Sequence, residues 1–436
     1  MRPLNIISSL VALLITTLPV ALLSELSHAS AIFFGLVILC IAGVFVLPQG
    51  VVTARQTLKN YRSLALALFF SVAVVIIASL YAGRVLESEF ERTLRIFVGS
   101  LAILAACLTL NPQVLRQASW GFVLATWLAA YYAITLSDAS FGRPDNLPNY
   151  NATSYSGLAL LMTTLSTLSL GWSLTRFRRT EIALKLLTIV PGVIALLLLQ
   201  TRGSWIALPF FILIGLVLFQ RRNNWRKIFL FSLLGVVMAA AIFASRPVMR
   251  ERFELAISEV SQCFEHPKTD SSVCIRLQLW RVSWLMFKSN PILGNSANDV
   301  FQTKLTEYAA RGLISEFTAK DFGEPHNDIV QKTASYGLLG LIGLLMLYLV
   351  PGWIFLKRLS WNAPQTNRVA AAMGLSVCVG FMCFGLTELM FRGMRTIGFY
   401  AAMIGWLLAL SDPTCWAKED QARTAHDERR ASTERP

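Results

Sequence analysis

Apolar positions along the chain come in long runs. They do not alternate as in half-buried strands, nor do they stripe one face as in the helices of a soluble domain. Runs of roughly 17–25 apolar residues match the ~30 Å hydrocarbon core of a bilayer at helical rise. Backbone groups at that depth must bond within their own segment, which selects helices. The pattern therefore predicts an all-α, polytopic integral membrane protein with about twelve transmembrane helices. They run near 4–23, 30–48, 63–82, 94–110, 117–136, 154–174, 183–200, 204–220, 228–245, 327–356, 369–389 and 396–411. Thr201–Ser204 and Arg392–Arg395 are connections so short that their flanking spans must be antiparallel neighbours. Four regions follow: helices 1–9 in 1–245, a long extramembrane loop in 246–326, helices 10–12 in 327–411, and a polar tail, 412–436, expected to be disordered. The first span is read as a retained helix because its apolar stretch exceeds that of a signal peptide. Ala29-Ser30-Ala31 is the cleavage site the alternative would use. No internal repeat is visible, which leaves inverted-repeat transporter logic without support.

Composition sharpens this picture. Of 436 residues, 55% are hydrophobic and only 15% charged, against about 25% charged in soluble domains. The net charge of +14 would suit nucleic acid, but the basic residues cluster between apolar runs. With both termini inside, 21 Lys and Arg fall on cytoplasmic segments and 7 on the short outer connections. That bias is the positive-inside signature, and it puts the long loop on the outer face.

On that face the candidate chemistry is sparse. Arg202 sits in a turn at interface depth, where Gly203 would reverse the chain and Ser204 would cap the next helix. A guanidinium beside free helix N–H groups suits a phosphate anion; a snorkelling anchor is the alternative. Ser272–Asn290 reads as an amphipathic helix lying on or just above the membrane. Its spacing groups Arg276 with Trp280, Ser283 and Phe287, and turns Arg281 roughly 140° away at ~100° per residue. His326, at the entrance to the tenth span with Asn327 and Asp328 as orienters, is the candidate general base, since an unperturbed imidazole titrates near ~6.5. A neighbouring arginine would favour its neutral form. Glu388 reads as completing a local pair with Arg392. Cys263 and Cys274, the two loop cysteines outside apolar spans, are read as a disulfide, with two free thiols as the alternative. The remaining cysteines and the four histidines show no metal-ligand spacing, so no metal site is expected.

The ordered set Gln200-Thr201-Arg202-Gly203-Ser204-Trp205, Arg276 with Leu279-Trp280, Asn290-Pro291-Ile292-Leu293-Gly294, and Pro325-His326-Asn327 followed by Tyr336-Gly337-Leu338-Leu339-Gly340 resembles the O-antigen ligase and polymerase superfamily. The likeness covers roughly 195–345. It departs at Asn295-Ser296-Ala297-Asn298, where the family is richer in glycine. The ligase branch implies a bacterial inner-membrane glycosyltransferase of lipopolysaccharide biosynthesis. Its donor would be undecaprenyl-pyrophosphate-linked O-antigen and its acceptor a lipid A–core oligosaccharide, joined at the periplasmic face without cofactor. On this resemblance His326 accepts the acceptor proton, Arg202 and Arg276 hold the pyrophosphate, and Ser204, Trp280, Arg281 and Asn327 line the substrate. An O-antigen polymerase or a protein O-oligosaccharyltransferase would share that chemistry. A lipid-linked oligosaccharide flippase is the reading from another class, although such a protein should carry ionisable residues near mid-membrane.

Overall fold

The computed structural model describes residues 3–25, 28–137, 144, 146–219, 258–295 and 298–415, and among these it contains helices and no strand. The chain opens with α1 (Pro3–Leu23), α2 (Ala29–Val46), α3 (Gly50–Asn60), α4 (Arg62–Ala82), α5 (Glu87–Cys107) and the single turn α6 (Pro112–Leu115). It continues through α7 (Trp120–Thr135), α8 (Ala152–Leu168), α9 (Arg178–Leu187), α10 (Ile189–Leu199), the short α11 (Arg202–Trp205) and α12 (Leu208–Phe219). Outside the bundle follow α13 (Ser272–Ser289), α14 (Asn298–Ala310) and α15 (Glu316–Asp321), and the bundle closes with α16 (Asp328–Arg358), α17 (Gln365–Phe384) and α18 (Met394–Ser411).

Eight helical stretches among the described residues are long and apolar enough to cross a membrane, with α9–α10 and α11–α12 each counting as one. Three further expected spans correspond to α5, α7 and α8. The first opens on charged residues, and the other two are 16 and 17 residues long. The expected span 228–245 and the tail beyond Cys415 lie outside the described residues. A helix not foreseen from the sequence, α3, is amphipathic, with Val51, Val52 and Leu58 exposed. Its Lys and Arg content had marked it only as a basic connection. α1 packs as a core helix, with Ile15, Leu18 and Leu22 fully buried.

The innermost elements are α17 and α18. Phe399, Tyr400, Met403, Trp406 and Leu410 of α18 are all fully buried, as expected for a helix that is apolar all round. Small residues let α18 approach α5 closely: a side chain on Gly405 would meet Ser100 O at 2.6 Å. Where these helices meet the far end of the bundle, Arg358 ties three elements together. Its guanidinium donates to Tyr61 Oη at 2.6 Å, to Asp412 at 2.8 Å and to Leu408 O at 2.8 Å.

α16 departs from the continuous span expected over 327–356. At Gly337 the backbone turns to φ +59, ψ −150. Tyr348 and Asp328 are twenty residues apart, about 30 Å in a straight helix, yet Tyr348 Oη donates to Asp328 at 3.1 Å. The two halves fold back across Gly337, so 328–336 dips into the bundle and only the second half spans it. The break is filled by the Pro291–Gly294 turn. Leu338 N donates to Pro291 O at 2.8 Å, and Asn295 N donates to Ala334 O at 3.2 Å. A Cβ on Gly337 would lie 2.5 Å from the Ile292 backbone, and one on Gly294 (φ +70) would collide with Ser335 and Tyr336. Both positive φ and backbone-to-backbone contact therefore require glycine at 294 and 337.

The extramembrane helices form a second small core of Ile275, Leu279, Val282, Met286, Phe301, Leu305 and Ile314. The apolar side of α13 is covered by α14 and α15, whereas an amphipathic helix lying on a membrane would keep that side for lipid. Trp284 is the large apolar residue of α13 that stays most open, at 53%. Cys263 and Cys274 are joined as a disulfide, Cα atoms 5.3 Å apart, pinning the segment before α13 to its first turn.

Candidate active site

The dipping half of α16 begins with an Asn cap. Asn327 Oδ1 accepts from Val330 N at 3.1 Å, and its Nδ2 donates to Leu386 O at 2.9 Å. Asp328 then knits this helix start to the α17–α18 turn. Its N–H donates to Gly385 O at 2.7 Å, and its carboxylate accepts from Met390 N at 3.1 Å as well as from Tyr348. Asp328 is 2% exposed, so the expected orienter of His326 is spent on the backbone instead. These bonds bring residue 326 against residue 388.

His326 itself takes a left-handed φ of +49, which turns its ring out of the path of the helix and into the turn. Its Nδ1 lies 3.1 Å from Glu388 Oε1. That same oxygen accepts from Leu389 N at 3.1 Å, and Asn151 Nδ2 donates to the other, Oε2. Asn151 is in turn the cap of α8, with Oδ1 accepting from Ser154 N at 2.9 Å. Burial alone would raise the Glu388 carboxyl, but hydrogen bonds and charge from His326, then Asn151 and Leu389 N–H, hold it below the ordinary carboxylate value. Glu388 is therefore an anion at neutral pH. A second carboxylate, Glu324, stands 3.9 Å from His326 Nδ1 and is paired with Arg392. Phe322 meets the imidazole edge-on at 6.0 Å between ring centres.

Two expectations are corrected here. Arg392 pairs with Glu324, leaving Glu388 to His326. Among the described residues the charged groups paired with the imidazole are the carboxylates of Glu324 and Glu388, and no arginine is paired with it directly. Glu324, His326 and Glu388 each offer a ligand atom within 4.8 Å of the others, but the histidine and Arg392 already answer both carboxylates.

Arg202 opens α11 at the same end of the bundle. The chain reversal before it is made by Gln200, at φ +49, and not by Gly203. Gly203 serves close approach: a Cβ there would collide with the Thr387 side chain, one residue from Glu388. Nor does Ser204 cap the helix. The cap position is Thr201, and Ser204 Oγ is buried in a hydroxyl cluster 2.9 Å from both Thr201 Oγ1 and Ser156 Oγ. Arg202 is exposed and makes no hydrogen bond or ion pair among the described residues.

Arg276 lies on α13, one turn before Trp280, whose Nε1 donates to Pro325 O at 2.9 Å. Trp280 thus links the Arg276 helix to the loop carrying His326. Arg276 is half-buried and likewise without a polar partner among the described residues. Arg281 is exposed and donates to Leu313 O, in the connection between α14 and α15, at 3.5 Å. Sequence reading had named Arg202, Arg276 and His326. It missed Glu324 and Asn151, for which no local pattern exists, and it singled out Glu388 but gave it the wrong partner.

Residues 186–345 match the family model described as O-antigen ligase. The match covers 160 of the 436 residues. This agrees with the O-antigen ligase and polymerase superfamily, whose substrates are in general lipid-linked polysaccharides. A Haemophilus influenzae protein described only as uncharacterized is 21% identical over 210 residues, which is 48% of this chain and 52% of that protein. The chain thus spans about half the length of the relative it matches. Arg202, Arg276 and His326 all fall inside the matched segment, whereas Asn151, at the start of α8, and Glu388, in the turn between α17 and α18, lie on either side of it.

Proposed function

We propose that this protein is an inverting glycosyltransferase that moves O-antigen polysaccharide from undecaprenyl pyrophosphate to a sugar hydroxyl of lipid A–core. The reaction takes place at the periplasmic face of the bacterial inner membrane, with both termini in the cytoplasm. The observation that carries this reading is the buried Glu388 carboxylate 3.1 Å from His326 Nδ1, at the end of the bundle where α11 begins with Arg202, an arginine with no polar partner among the described residues. His326 accepts the proton of the attacking hydroxyl. Arg202 and Arg276 hold the two phosphates as bidentate clamps and stabilise the charge that develops on the leaving group. Since pyrophosphate is already a good leaving group, the chemistry asks for charge stabilisation more than for a strong acid. Asn327 and Trp280 act on the substrate through the loop they fix, and Ser204 through the turn that presents Arg202. Both substrates are lipid-anchored, and a site on a half-helix dipping into the bundle can receive each from the bilayer.

Purified protein in lipid vesicles, given lipid-linked glycan and lipid A–core, is expected to form the ligated product without nucleotide. EDTA should leave the rate unchanged, because the carboxylates near His326 are balanced by His326 and Arg392. Longer lipid-linked chains with no ligated product would make the protein a polymerase, and a glycosylated protein acceptor would make it an oligosaccharyltransferase. Movement of the donor across the bilayer with no new bond would favour the flippase. A rate abolished by EDTA would overturn the metal-free reading.

A further inference from the structure

We infer that Glu388, set in place by Asn151, is the positioning residue that fixes the tautomer of His326 and stabilises its protonated form. This deepens the proposed function and rests on its assignment of His326 as base.

A carboxylate only accepts hydrogen bonds, and Glu388 is held ionised by its surroundings. At 3.1 Å from Glu388 Oε1, Nδ1 of His326 must therefore carry the hydrogen. The neutral ring then has its lone pair on Nε2, which is the form a base needs. During transfer a bond forms between the acceptor oxygen and the anomeric carbon, while the bond from that carbon to the phosphate oxygen breaks. The pyrophosphate leaves with the electron pair, and the hydroxyl proton passes to Nε2. The resulting imidazolium lies against the Glu388 anion, so the pair is better matched after proton transfer than before it.

The carboxylate has no freedom to turn away. Leu389 N–H donates to the oxygen that faces His326, and Asn151 Nδ2 donates to the other. Glu388 is 5% exposed, and the turn that carries it is tied to α16 through Asp328. Asn151 belongs to α8, 237 positions away in the chain. Its Oδ1 caps that helix while its Nδ2 holds the glutamate. The helix cap and the base are thus joined by a single amide.

An amide in place of Glu388 cannot serve all three donors. Oriented to accept from Leu389 N and His326 Nδ1, it opposes its own NH₂ to that of Asn151. Glu388→Gln is therefore expected to lower kcat by at least about tenfold, with the KM for lipid-linked donor unchanged, because charge stabilisation of the imidazolium is lost. Asn151→Ser keeps a cap for α8 and removes the donor to Glu388. It should lower kcat in the same direction by a smaller factor, and it reads the same chain of contacts if the glutamine variant does not fold. Nitrogen-15 spectra of histidine-labelled wild-type protein should show the neutral His326 ring with its hydrogen on Nδ1, the signal being assigned by its loss in His326→Ala. Wild-type kcat in both variants, or Nε2 protonated in the wild type, would overturn the inference while leaving His326 as base. A fully active His326→Ala would remove the base itself, and the inference with it.

Discussion

Replacing His326 by asparagine is expected to cut glycan transfer by about 10²–10⁴-fold, the range that a positioned general base contributes. Asparagine is the informative choice because the φ of +49 at this position is one that Asn tolerates better than most residues. Its amide can also still donate to Glu388, so the buried carboxylate keeps a partner and the turn keeps its shape. What asparagine cannot do is accept a proton at neutral pH. Thermal unfolding in detergent should match that of the wild type, while product formed per minute from lipid-linked glycan falls. Normal transfer by this variant would mean that the acceptor hydroxyl loses its proton elsewhere, and Glu324 would be the next group to examine.

Replacing Arg202 by lysine is expected to lower transfer between about tenfold and a hundredfold, although the charge is kept. One charged hydrogen bond is worth about 1.5–3 kcal/mol, and each ~1.4 kcal/mol is a factor of ten in rate. A planar guanidinium offers two parallel N–H groups to one phosphate, which an ammonium cannot reproduce. The effect should be confined to function. Arg202 is exposed and has no hydrogen-bond or ion-pair partner among the described residues, so no such bond is lost with it, and melting should be unchanged. Gly203 and Ser204, which carry the packing of this turn, should behave in the opposite way, since their neighbours Thr387 and Ser156 would be displaced. A lysine variant with the wild-type rate would sink the clamp.

The helices were legible because hydrocarbon leaves a chain few options, and run length with loop charge reports them directly. Arg202, Arg276 and His326 could be nominated as candidates because each stands in a short ordered motif near a helix end. The partners of those residues could not. Glu388 lies 62 positions from His326 and Asn151 lies 237 from Glu388; no periodicity joins them, and in sequence Arg392 is the nearer cation for Glu388 to pair with. The break in α16 was hidden for another reason. Hydropathy is continuous across 327–356, and a run of apolar residues carries no mark of where its backbone turns. The signals were Gly294 and Gly337 themselves, two glycines in motifs 43 positions apart whose common purpose appears only when their backbones touch. Gly203 misled in the same way. A glycine at a tight turn suggests chain reversal, but here Gln200 reverses the chain and the glycine admits Thr387.

The central claim is that Arg202, Arg276 and His326 act on one lipid-linked pyrophosphate. It is tested most directly by an experimental structure of the protein holding the undecaprenyl-pyrophosphate donor. The diphosphate should lie between the Arg202 and Arg276 guanidiniums, with nitrogen-to-oxygen distances of about 3 Å and the anomeric carbon facing Nε2 of His326. A diphosphate seated at the opposite end, beside Tyr61, Arg358 and Asp412, or one that contacts neither arginine, would contradict it.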